Sequence, residues 1–132
     1  MNLNFYGTNV PIRFLIEHLE NSGTIADFVR ANSGVTELMC VEVLDLHEEY
    51  SHFSNKANEI GRLQSLINVS NKGELENKIK TESNQLISEL SLFLNNIQQS
   101  PYYAIFEGQS RNLMLCCEKA AIKPWENCFS VH

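Results

Sequence analysis

The stretch CVEVLDLHEEYSHF, residues 40–53, crowds carboxylates and imidazoles into two short bursts. Groups of these types ligate metals, move protons or present charge to a partner, and spacing separates the three uses. His47 and His52 lie five positions apart, which turns the second ring by about 140° around a helix. A zinc-protease helix needs a spacing of four, so that both rings share one face. Glu49 and His52 form the Glu-x-x-His unit of di-iron bundles, but such a site takes two of these units and two further glutamates. The remaining histidines, His18 and His132, have Leu15 and Phe129 where the second glutamate should stand. A metal-dependent helical-bundle enzyme is therefore a secondary reading, and the expectation is a non-enzyme with no metal and no cofactor.

The same residues make a better surface than a site. On a helix, Glu42, Asp45, Glu48, Glu49 and His52 share an arc of about 120°. Like charges three and four residues apart cost a few tenths of a kcal/mol per pair. The plain explanation is a solvated helix face; the sharper one is a face kept acidic because its partner is basic. The solvated face is the commoner case for a charge run, and the charge distribution adds weight to the second reading. Of a net charge of −6, the stretch between Arg30 and Lys56 holds −5, from Glu37, Glu42, Asp45, Glu48 and Glu49, with no lysine or arginine among them. Such a surface repels nucleic acid and anionic membrane.

The cysteines offer a third candidate. Cys128-x-x-x-His132 has a workable zinc spacing, and Cys117 could join it, but a structural site needs a fourth ligand. Cys116 is a poor one, because adjacent residues point apart. All four cysteines read as thiols rather than as a disulfide framework, given the absence of a visible secretory signal and enough residues for a core. No phosphate-binding glycine loop, nucleophile elbow or dinucleotide fingerprint occurs.

The elements that must carry these groups are mostly helical. Pro11 opens a first helix with Ile12, Leu15, Ile16 and Leu19 on one face, and Gly23 suits its end. Thr24 caps a short second helix that stops at Asn32-Ser33-Gly34. From Thr36 the apolar positions Met39, Val43, Leu46, Tyr50, Phe53, Ala57 and Ile60 recur at steps of four and three, the first six within about 80°. This helix reaches toward Ile67, with Gly61 a candidate break. Asn71, three residues before Glu74, caps a further long helix marked by Leu75, Ile79, Leu86, Leu90, Phe93 and Ile97, with Glu82 or Ser83 interrupting the stripe. Residues 101–118 read as helix or, at SPYYAIFEG, as an aromatic-rich strand or β-hairpin; Pro124 ends the element, and Trp125 and Phe129 are expected to tie the tail to the core.

The expectation is an all-α single domain over residues 1–132, a helical bundle built on a long antiparallel helix pair. No stretch is long and apolar enough for a membrane helix, and the start shows neither a basic nor an apolar leader region, so a cytoplasmic protein is expected. The favoured function is a small acidic inhibitor, of the kind of a bacterial immunity protein or antitoxin, that blocks a basic-sited nuclease toxin through Glu42, Asp45, Glu48, Glu49 and His52. The alternative is a homo-oligomeric helical adaptor or secretion chaperone, with a homodimer held open.

Overall fold

The structure, a computed structural model, describes residues 4–129. Among these residues the elements are α1 (Ile12–Glu20), α2 (Ile25–Ala31), α3 (Glu37–Ser65), α4 (Lys72–Ile97) and α5 (Tyr103–Ile122). No residue of 101–118 is in a strand, and the segment left between helix and hairpin folds as α5. The described residues fall into two compact units, divided between Glu49 and Tyr50 inside α3.

In the first unit, the chain enters through a turn closed by the Phe5 amide on the Val10 carbonyl, 2.9 Å, which drops Phe5 into the core against the Phe28 ring. Ile12, Leu15, Val35, Cys40 and Val43 complete that core. The Thr24 side chain accepts from the Asp27 amide at 3.2 Å and starts α2 as the sequence indicates. Thr36 does the same for α3 by accepting from Met39. The end of α1 differs from expectation. Ser22, not Gly23, takes the left-handed conformation, with φ of 66°. Gly23 is required for another reason: a Cβ there would collide with the ring of His18, whose Nε2 lies 2.8 Å from the Thr24 carbonyl oxygen.

In the second unit, α4 and α5 fold back on each other across a five-residue connection as a helical hairpin. Their inner positions show why. Ile79, Ser83, Leu86, Leu90, Phe93 and Ile97 of α4 are buried at steps of four and three, and Phe106, Ser110, Cys117 and Ala120 of α5 at steps of four, seven and three. Phe93 meets Phe106 edge to face at 5.9 Å, and Tyr50 and Phe53, from the second half of α3, close on the same ring cluster. Lys56 adds an ion pair to Glu89 at 2.6 Å, worth little on an exposed surface.

Gly61 does not break α3. It faces Phe129, whose Cβ would lie 3.2 Å from an added methyl, so the missing side chain makes room for the tail. Asn71 stands at the N-cap of α4 but offers its side chain elsewhere: its Oδ1 accepts from the Asn68 amide and its amide donates to the Leu66 carbonyl. The tail is held by Phe129 and by the buried Pro124, whereas Trp125, expected in the core, is 59% exposed.

The reading of all four cysteines as thiols is overturned. Cys116 and Cys128 form a disulfide, twelve positions apart, with Cα atoms 5.3 Å from each other. The turn after α5 brings the chain back along the helix end, so two sulfurs that look unrelated in sequence become neighbours. The support that the cysteines gave to a reducing compartment goes with it.

Candidate functional site

All five positions of the acidic face lie on α3, and all five side chains are exposed. Glu42, Asp45, Glu48 and Glu49 belong to the first unit; His52 falls in the second. The four carboxylates span about 10 Å of helix rise. On the same helix, Cys40 and Val43 are wholly buried, whereas Met39, Leu46 and Tyr50 are only partly so. The apolar stripe is thus centred nearer to Cys40 and Val43 than the sequence period places it, and the carboxylates still point away from it.

Asp45, Glu48 and Glu49 have no lysine or arginine partner among the described residues, while carboxylates elsewhere do. Asp27 pairs with Arg30, Glu59 with Arg62, Glu89 with Lys56 and Glu107 with Arg111. Three of these pairs join residues three or four positions apart, and Lys56 reaches Glu89 on another helix. The stretch between Arg30 and Lys56 contains no lysine or arginine, so the charge of Asp45, Glu48 and Glu49 is not neutralised from within it.

Among the described residues, no three or more His, Cys, Asp or Glu side chains gather closely enough to hold a metal ion. Of the suggested zinc ligands, Cys128 is spent on the disulfide, Cys117 is buried on α5, and His132 lies outside the described residues. Burial pushes the Cys117 thiol up to about 12, with the Glu118 charge adding to the effect, and burial followed by Glu37 raises Cys40. Both are therefore poor nucleophiles near neutral pH.

No family model, curated protein or solved structure matches this chain. The site must be read from its own chemistry.

Sequence reasoning passed over one concave feature. Between α4 and α5, Ser91, Asn95, Gln98, Tyr103 and Arg111 line an open cleft of about 170 Å³ over Leu94 and Met114. The cleft's one charged group, Arg111, is engaged by Glu107 at 3.3 Å and by the Tyr103 hydroxyl at 3.5 Å. Apart from Arg111 its components are neutral residues scattered along two helices and the turn between them, and no local spacing announces them.

Proposed function

We propose that this chain is a binding protein whose α3 carboxylates, Glu42, Asp45, Glu48 and Glu49, recognise a basic protein surface. The partner we favour is a nuclease-type toxin, which the chain would neutralise in the manner of an immunity protein or antitoxin. A nuclease must keep its active site positive to hold phosphates, and an acidic helix face is complementary to such a site. The observation that carries this reading is the run of exposed carboxylates on α3 in a stretch that holds no lysine or arginine between Arg30 and Lys56, with Asp45, Glu48 and Glu49 in no ion pair among the described residues. A helix tolerates that repulsion at a small cost in stability, which binding would offset.

A rigid support suits the role, since a face held on one helix loses little freedom on binding. In this reading α3 and α4 run as an antiparallel pair. The contacts Lys56–Glu89 and Phe53–Phe93 support it, because the α4 position advances as the α3 position recedes.

The test is a triple reversal, Glu42→Lys, Asp45→Lys and Glu49→Lys, at positions that point away from the core. Wild type and variant are immobilised and used to capture basic proteins from the native host, and the captured protein is then titrated against both. Association of wild type should slow as salt rises. The variant should stay folded by circular dichroism and lose binding by a hundredfold or more, about 3 kcal/mol. A folded variant that binds with unchanged affinity would reduce the face to a solvated surface.

A further inference from the structure

Residues 124–129 follow α5 as turn and irregular backbone and lie against the C-terminal end of α3. Apart from the disulfide, their anchors are few. Pro124 and Phe129 bury their rings, and the Gln64 side-chain amide donates to the carbonyls of Pro124 and Glu126. Trp125, Glu126 and Asn127 are exposed. Ordering an irregular segment costs conformational entropy at every residue, and so short a set of anchors offsets only part of it. The Cys116–Cys128 bridge makes up the difference, because it ties the segment back to α5 and leaves little loop to close.

The bridge is also within reach of solvent. Cys116 and Cys128 are both partly exposed, and exposed disulfides are the ones that exchange with outside thiols. The two remaining cysteines, Cys40 and Cys117, are buried. Cys117 adjoins Cys116 in sequence, yet burial pushes its thiol up to about 12, so it stays protonated near neutral pH and does not attack the bridge. The pair therefore has two states, bridged and reduced, with no shuffled third.

We propose that Cys116 and Cys128 form a redox switch on a strap: the bridge holds residues 124–129 closed against α3, and reduction by a soluble dithiol releases them while the helices stay folded.

The exchange balances in two steps. One thiolate of the dithiol attacks a bridge sulfur, forms a mixed disulfide and expels the other cysteine as a thiolate, which takes up a proton. The second thiol of the reductant, deprotonated in turn, attacks the reductant's own sulfur in the mixed disulfide and expels the second cysteine. Two electrons pass to the protein, Cys116 and Cys128 end as thiols, and the dithiol ends as its cyclic disulfide. Release lifts Phe129 from Gly61, whose missing side chain forms the notch beneath it, and takes both carbonyls from Gln64. A ring and a stretch of α3 that were covered then face solvent. The α4–α5 seam and the rings of Phe53, Phe93 and Phe106 use none of residues 124–129, so the helices do not need the closed strap. This inference is independent of the reading of the α3 carboxylates, which uses none of these residues.

Trp125 is the single tryptophan of the chain and sits in the strap, so its fluorescence anisotropy reads the strap alone. The oxidised full chain is treated with dithiothreitol in native buffer, and thiol titration, circular dichroism and limited chymotrypsin cleavage are followed beside the anisotropy. Two thiols per chain should become reactive without denaturant. Anisotropy should fall, and cleavage after Trp125 or Phe129 should quicken about tenfold or more, since cleavage tracks the open population. The circular dichroism spectrum should not change, and oxidised glutathione should restore the closed values. Cys116→Ser combined with Cys128→Ser should give the open values without reductant and ignore its addition. A bridge that resists the dithiol in the folded protein overturns the proposal. So does a strap that stays closed in the reduced chain or in the folded double variant. A loss of helix on reduction overturns it as well, because the bridge would then be a staple of the whole unit.

Discussion

Gln64 donates its side-chain amide to the backbone carbonyl of Pro124 at 3.1 Å, across sixty positions of sequence, and to that of Glu126 at 2.9 Å. One buried amide near the end of α3 thereby holds the turn that follows α5. The turn in turn sets Phe129 over Gly61 and brings Cys128 to Cys116. A polar residue is placed in the core here because the Pro124 oxygen would otherwise be buried without this donor.

Replacing that donor should therefore matter. Gln64→Leu keeps the volume and strands the Pro124 carbonyl, for an expected loss of about 1–3 kcal/mol in urea denaturation. The Pro124–Phe129 segment should also become more open to proteolysis. A variant with wild-type stability would show that water replaces the amide at no cost.

The α4 seam contains the opposite case. The Ser83 hydroxyl is buried with no hydrogen-bond partner among the described residues, as is that of Ser110. Ser83→Ala removes an unsatisfied group and improves helix propensity. It should raise stability by about 1 kcal/mol, read as a higher urea midpoint at unchanged slope. A drop instead would mean that the hydroxyl finds an acceptor in solution.

Thiol titration separates the cysteines into two classes. Denatured, unreduced protein should show two free thiols, Cys40 and Cys117, and four after reduction. Closing the loop between Cys116 and Cys128 is worth about 3 kcal/mol, so reduction should lower stability by that order. For Cys117 the direction of the pH effect follows from its raised pKa. Burial lifts the folded-state value from 9.0 to about 12, so the folded state keeps a proton that the unfolded chain gives up. Its contribution to stability is complete below pH 9 and is lost progressively as pH climbs toward 12. Cys117→Ala should flatten that decline; an equally steep fall would assign it to other groups.

Much of the fold is legible locally. The cap at Thr24, the stop before Pro124 and the helical period of α3 and α4 depend on backbone chemistry within a few residues, and these are where sequence and structure agree. The candidate site is legible for the same reason, because residues on one helix face are fixed by spacing alone. Gly23 and Gly61 mark the limit. Both look like helix breakers, yet one makes room for the His18 ring and the other for Phe129. Whether a glycine terminates or accommodates depends on what lies against it.

From its sequence alone this protein is bound to be helical, to carry its acidity on one stretch of α3, and to present those carboxylates away from the apolar stripe. Those properties follow from a period of 3.6 residues and from composition. Tertiary packing decided the rest: which serine is buried without a partner, that Trp125 stays out while Pro124 goes in, and that Cys116 finds Cys128. Each of these turns on contacts between segments far apart in the chain. Local propensity cannot encode them, because the free energy that selects them arises only when the segments exclude water together.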